Sequence, residues 1–365
     1  MRSAILTGAT GLLGSWLLKY LSKDYDHIFA IARATNGASA ESRVRSVLEV
    51  HEHERSTVDS IMSRVTVLDG DIHKKALGLP PQKLDELLEN GAEDLFHSAA
   101  LAEFRVPYDR IYVTNVLGTQ NTLDLAISLK RRGQTNPIDF HHISTVAVAG
   151  DYEGYFTESD FSHGQHFNNT YEQTKFEAEQ LVRDYSQELR TIIYRPSVIT
   201  GDSQRGITTN FKMLYQPVHF IAYELFGILP GQGECRHSFV PVDRVAEAIA
   251  LLSKQDDYSK ESYQLVNPDQ ISLEEFVGSI CDFFSKQPPR LRPLNEFSKD
   301  MLSAVQWRIV EPFVPYFNYR VTFGAEHTNA LLRKLGFCWP KVDRAFLFRL
   351  YHYCRESGFG RRVVT

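Results

Sequence analysis

Cysteine is scarce in this chain, and no charge of one sign dominates it. The 365 residues include four cysteines. Cys235, Cys281, Cys338 and Cys354 lie far apart, with neither a Cys-x-x-Cys pair nor a zinc spacing. Such thiols read as reduced and mostly buried, which excludes a disulfide framework and implies a cytoplasmic protein. No metal site is expected. No apolar run reaches the ~18 residues needed to span a bilayer. The stretch 220–229 is too short and contains Glu224, so no integral membrane segment is expected. The formal net charge is −5, without the long basic block of a nucleic-acid binder. Arg131-Arg132 and Arg361-Arg362 are too short to count as basic patches. No internal repeat or low-complexity tract is present. A strand and its glycine turn occupy residues 1–14, where a cleavable signal would sit, so none is expected.

What is present is enough apolar side chain for a sizeable core, 43% with 12% aromatic. Short apolar runs alternate with helix-length amphipathic ones from Ala4 to about Arg195. Strands are expected at 4–6, 28–31, 64–68, 94–97, 140–144 and 191–195, with helices at 12–22, 115–130 and 171–189. Repeated β-α-β units with mostly apolar strands predict an α/β fold, a Rossmann-type doubly wound parallel sheet covered on both faces. Beyond Gly201 the pattern changes. An Asp-capped helix is expected over 243–252 and a last strand over 263–266. Segments rich in Pro, Phe and Tyr surround them. The expected organisation is a dinucleotide-binding domain over 1–201 plus about 239–267. A smaller C-terminal substrate-binding lobe is expected over about 202–238 and 268–365.

Thr7-Gly8-Ala9-Thr10-Gly11-Leu12-Leu13-Gly14 follows the first strand and opens the first helix. Small residues let the backbone approach a pyrophosphate, and a helix N-terminus offers free N–H groups and a positive dipole end. The bland alternative is a plain tight turn. The second strand ends Ala30-Ile31-Ala32-Arg33, without the carboxylate that holds a ribose 2′-hydroxyl in NAD sites. A cation there suits the 2′-phosphate of NADPH, and Arg43 would add a second charge if the chain folds back. Asp71, in Asp69-Gly70-Asp71-Ile72, is placed either to meet the adenine edge or to make a turn.

Tyr171-Glu172-Gln173-Thr174-Lys175 puts a phenol and an ammonium on one helix face. A phenol with pKa near ~10 needs a neighbouring cation to exchange protons at neutral pH. Ile143-Ser144-Thr145 offers hydroxyls at the carboxyl edge of the sheet, where such folds bind ligands. Asn115 is expected to open the helix after the fourth strand, either as an N-cap or as an anchor for water or backbone near the lysine. His51-Glu52-His53-Glu54 looks metal-like, but a solvated helix face is the expected reading. His141-His142 is expected to be packed or hydrogen-bonded within the fifth strand.

This order of motifs resembles the extended short-chain dehydrogenase/reductases over residues 1 to about 270. The matching positions are Thr7–Gly14, Asp71, His97-Ser98-Ala99-Ala100, Asn115, Thr145, Tyr171 with Lys175, and Arg195-Pro196. Four stretches are most similar to the thioester reductase group: 6–18, Arg33 with Arg43, 67–79 and 194–206. That group comprises the reductase domains of carboxylic acid reductases and nonribosomal peptide synthetases, and the fatty acyl-CoA reductases. The resemblance implies Thr145 rather than Ser144 in the hydroxyl role, with Pro196, Ser197 and Val198 beside the nicotinamide. It implies that Ile72, Ser98, Ala99 and Ala100 line the cofactor, with Asn115 acting near Lys175. It further implies NADPH-dependent reduction of an acyl thioester, on a carrier protein or CoA, to an aldehyde, with a second reduction to the alcohol left open. Aromatic and aliphatic residues in 211–230 (Phe211, Met213, Leu214, Tyr215, Phe220, Tyr223 and Phe226) would suit an apolar acyl chain, or simply pack the lobe. The same catalytic residues also serve ketone or sterol reductases and nucleotide-sugar epimerases or dehydratases. A non-catalytic NADP-sensing regulator is a third alternative, which intact Tyr171 and Lys175 argue against.

Overall fold

The structure, a computed structural model, describes residues 2–35, 37–52, 54–89, 91–132, 138–255 and 262–361. Seven strands form the central sheet: β1 (Ser3–Thr7), β2 (His27–Ala32), β3 (Val65–Asp69), β4 (Ala92–His97), β5 (Asp139–Ile143), β6 (Arg190–Pro196) and β7 (Ser262–Leu265). Their order is β7-β6-β5-β4-β1-β2-β3, and every pairing is parallel. The order reverses between β1 and β4, which opens a crevice at the carboxyl ends of the strands, where doubly wound sheets take their ligands.

Both faces are covered, which is why the strands read as apolar runs without a polar alternation. Ile5, Phe29, Leu95, Phe140 and Ile193 pack against helices α1 (Gly118–Arg131) and α2 (Thr170–Asp184) through Leu123, Leu129 and Val182. On the opposite face Leu6, Ile28, Phe96 and Tyr194 meet the helix Leu12–Leu21 that follows β1 and the helix Val242–Leu252. Each such apolar side chain, fully buried, contributes about 1.5–3 kcal/mol before conformational entropy is counted. A separate cluster, with Phe220, Phe276, Ile280, Phe313, Phe346 and Tyr351 at its centre, is built from the later segments of the chain.

Two helix starts differ from expectation. The helix expected at Asn115 begins at Tyr108, after Pro107. It runs Tyr108–Tyr112, widens into a π turn at Val113–Leu117, and continues as α1. Asn115 therefore lies inside a helix and caps nothing. A π turn inserts a residue without changing side-chain polarity, so a 3.6-residue pattern does not reveal it. The helix Val242–Leu252 has Pro241 at its N-cap and no side-chain cap. The Asp243 carboxylate instead accepts from the Ser203 N–H (2.9 Å) and hydroxyl (2.6 Å).

No helix among the described residues is long and apolar enough to cross a membrane. Cys235, Cys281 and Cys354 are buried thiols and Cys338 is exposed; all four are free.

Candidate active site

The crevice is shaped first by backbone. Gly8 has φ +78°, and a Cβ on it would sit 2.6 Å from the Ala99 nitrogen, so the glycine turn lies flat on the Ser98–Ala100 segment. A Cβ on Gly14 would overlap the Gly8 carbonyl oxygen. Close approach of the helix to the turn thus requires glycine at both positions. Gly11 is the N-cap of the following helix; it supplies no side chain to the free N–H groups, and the first turn contains no acid. Those donors and the dipole end fit the pyrophosphate of a dinucleotide. Thr10 is half-buried in the turn. Thr7 is committed elsewhere: its hydroxyl pairs with His97 Nδ1 (2.8 Å) and accepts weakly from the Ala99 N–H (3.4 Å).

At the far end of the crevice the chain does fold back. Arg43 Nη1 donates to the Arg33 carbonyl (2.5 Å), which brings both cations to the end of β2. The half-exposed Arg33 guanidinium lies 3.8 Å from Asp71 Oδ1. Asp71 also makes a turn, accepting from the His73 N–H at 3.1 Å. The turn reading of this residue is met, and its carboxylate faces Arg33. Asn121 Nδ2 holds the Ile72 carbonyl (2.7 Å).

The catalytic candidates converge where β5 and α2 meet. Thr145 and Tyr171 line the same cavity. Thr145 Oγ1 also accepts from the Ala147 N–H (3.2 Å), so it caps the next turn as well. Burial pushes the Tyr171 phenol up to about 12, with the Thr145 hydrogen bond pulling the other way. Lys175 does not lower that phenol in the protein alone. Its ammonium is buried and donates to the Ile143 carbonyl (2.7 Å), and burial drops its pKa to about 8 while Glu179 raises it. Glu179 is fully buried and held ionised by Arg195 (2.5 Å), Arg183 and the Ser144 hydroxyl (2.6 Å). Ser144 is therefore engaged with Glu179, while Thr145 lines the cavity with Tyr171.

Asn115 serves as a brace. Its Oδ1 accepts from the Leu101 N–H (2.8 Å), and its Nδ2 donates to the Leu101 carbonyl and to Thr174 Oγ1 (both 3.1 Å). Its carbonyl accepts from the Thr119 hydroxyl (2.6 Å), which in turn pairs with His97 Nε2 (3.0 Å). His97 is fully buried, and its pKa is pushed down to about 3 by burial and by Lys175.

A cavity of about 440 Å³ joins these parts. Gly11–Gly14, Ser98, Ala100, Thr145, Tyr171, Lys175 and Pro196–Val198 line it. Thr7, Gly8, Arg33, Arg43, Asp71, Ile72, Ala99 and Asn115 do not; they support it or lie beyond it. Of the 211–230 set only Met213 and Leu214 face the cavity. Tyr215, Phe220 and Phe226 are buried in the separate core, Phe211 packs beside it, and Tyr223 is exposed. Packing wins at most of those positions.

The sequence reading missed the opposite wall. Phe104 stacks on Tyr316 (4.9 Å between centroids) and Tyr316 on Tyr319 (5.6 Å), with Phe313 beside Phe104. Tyr316 donates to Glu172 Oε1 (2.6 Å), next in sequence to Tyr171. Burial raises the Glu172 carboxyl. The one available signal was the carboxylate inside the Tyr171–Lys175 motif.

His51 and His141 lie outside the cavity lining. His51 is buried and stacked on Trp16 (4.4 Å), not solvated as expected; His53 lies outside the described residues. His141 pairs with Asp94 Oδ1 (2.7 Å) and Tyr194 (3.0 Å). With Asp139 this pair makes a cluster of metal-ligand type, but Asp94 also holds Tyr25 and Arg2, and Asp139 holds Arg190.

Fold and site together are those of an extended short-chain dehydrogenase/reductase of the thioester reductase group. The chain belongs to the male sterility protein family, whose model matches residues 6–249. It is 31% identical over 317 residues to the L-2-aminoadipate reductase large subunit of Eremothecium gossypii, covering 82% of this chain and 22% of that protein. It is 27% identical over 316 residues to a carboxylic acid reductase of Segniliparus rugosus, covering 77% of this chain and 26% of that protein. The terminal R domain from the myxalamid PKS-NRPS biosynthetic pathway superposes with a TM-score of 0.80 at 27% identity, over 98% of this chain and 92% of that one. The chain thus spans about a quarter of the length of those two curated relatives.

Proposed function

We propose that this chain reduces an acyl thioester, presented on a carrier protein or on CoA, to an aldehyde with NADPH, and that the same groups can take the aldehyde on to the alcohol. The observation behind this reading is that Thr145, Tyr171 and Lys175 line one cavity that also reaches the free first turn of the helix after β1. In this reading 1–201 with 239–267 bind the cofactor, and 202–238 with 268–365 form the substrate lobe.

When bound, NADPH supplies a hydride to the thioester carbonyl carbon. Thr145 and Tyr171 hydrogen-bond the carbonyl oxygen and stabilise the charge that develops there. A phenol held at about 12 stays protonated across neutral pH, so Tyr171 acts as the proton donor in the reducing direction. Lys175 would hold the nicotinamide ribose. Glu179 keeps that ammonium charged. Pro196, Ser197 and Val198 line the nicotinamide side. The hemithioacetal hydroxyl then returns its proton to the Tyr171 oxygen as the C–S bond breaks, and thiolate departs leaving the aldehyde. Arg33 and Arg43 meet the 2′-phosphate, which is the basis for NADPH over NADH.

NADPH oxidation measured against acyl-CoA and acyl-pantetheine thioesters, ketones and nucleotide sugars tests this. Turnover with thioesters, with thiol released, is the expected result. Turnover with the other two classes only would overturn the reading.

A further inference from the structure

The acyl end of the cavity has a one-sided charge. Its lining includes two cations, Lys212 and Arg236, and among the described residues no Asp or Glu. Carboxylates behind the lining are engaged: Glu275 accepts from the Ser272 N–H (2.9 Å). Glu103 is ion-paired to Lys212. Glu172 lies behind Tyr316, accepting from its hydroxyl (2.6 Å) and from the Asn168 N–H (2.8 Å). Phe104, Met213, Leu214, Pro217, Phe313 and Phe317 make its apolar part, beside neutral polar side chains such as Asn210, His237 and Gln270. The aromatic faces are also covered. Tyr316 lies between Phe104 and Tyr319 at interplanar angles of 10° and 20°, so its ring offers little open face to a cation.

A substrate ammonium entering this space would lose its hydration and meet the Arg236 and Lys212 side chains with neutral acceptors but no carboxylate on the lining to pair with, which is costly for a buried charge. A neutral aliphatic or aromatic acyl group would lose only water that it binds weakly. We infer that the cavity selects acyl thioesters that are apolar and uncharged near the carbonyl, and rejects α-aminoacyl thioesters. This rests on the proposed thioester reduction. It separates the chain from a purely fold-level reading, because relatives of the same family include proteins named for amino-acid reduction, such as L-2-aminoadipate reductase.

Two pantetheine thioesters that differ by one group, octanoyl and 2-aminooctanoyl, test the inference on the full chain with NADPH. The expected kcat/KM ratio favours octanoyl by on the order of 100-fold. Arg236 is exposed and lines the cavity. Arg236→Glu replaces a cation with a carboxylate there, and the ratio should fall by about tenfold. The unreactive amide analogues of both acyl-pantetheines, titrated calorimetrically into the NADPH-loaded protein, read the same preference without chemistry. Failure of both thioesters to turn over, with the octanoyl amide still bound at least tenfold more tightly, would overturn the proposed reaction and leave the selectivity standing. Equal or tighter binding of the amino analogue, or no binding of the octanoyl amide, overturns the inference.

Discussion

The two ends of the cavity are built by different means. The cofactor end is backbone: Gly8 and Gly14 sit where a Cβ would collide with main chain, and the free N–H groups belong to a helix start without a side-chain cap. The acyl end is side chain: Phe104, Phe313, Tyr316 and Tyr319, from segments some two hundred residues apart, stack into one wall. Backbone requirements leave few permitted residues, whereas an aromatic wall can be met by many combinations. A fold can therefore keep its cofactor end fixed while its acyl end changes.

The contrast can be broken most forcefully at the junction of the two ends. Tyr171→Phe removes the proton donor and should lower kcat by about 10³-fold. NADPH affinity, read by fluorescence titration, should stay within about twofold. A parallel loss of NADPH binding would mean that the phenol belongs to the cofactor end.

Gly14→Ala tests the cofactor end alone. The added methyl overlaps the Gly8 carbonyl, so the turn must open. NADPH affinity should fall by at least about tenfold, with loss of roughly 2 kcal/mol or more of stability in denaturant titration. Unchanged binding would deny the turn its role.

Lys175→Met trades function for stability. The Lys175 pKa is depressed to about 8, below the unfolded value, so below pH 8 its charge destabilises the fold. Between about pH 8 and 10.5 the unfolded chain binds the extra proton, and stability rises with pH across that window. The methionine variant should be inactive, more stable at pH 7 by about 2 kcal/mol, and without that rise. Chemical denaturation at pH 7 and at pH 10 reads all three. The smallest effect is expected at Arg33→Ala, a half-exposed cation. The preference for NADPH over NADH should shrink by roughly tenfold, with little change in kcat.

The sequence disclosed what the backbone demands. The glycine turn, the doubly wound sheet and the Tyr171/Lys175 helix face all follow from local spacing, and β7 returned to the sheet as its apolar run suggested. Asn115 was misplaced because a π turn changes where a helix begins without altering its pattern. Asp243 looked like a cap because a carboxylate before an apolar run usually is one; here Ser203, distant in sequence, claims it. Tyr215, Phe220 and Phe226 suggested a binding surface, yet they pack a core that only the folded chain assembles. Phe104 and Tyr316 were missed for the same reason.

The most direct test of the reaction is a deuterium transfer experiment. The full chain is incubated with octanoyl-pantetheine and NADPH deuterated at the transferring position, with the aldehyde trapped as it forms. The account predicts one deuterium at the aldehyde carbon, one thiol released for each NADPH consumed, and neither with Tyr171→Phe. NADPH oxidation without deuterium in the aldehyde, or without thiol release, would contradict it.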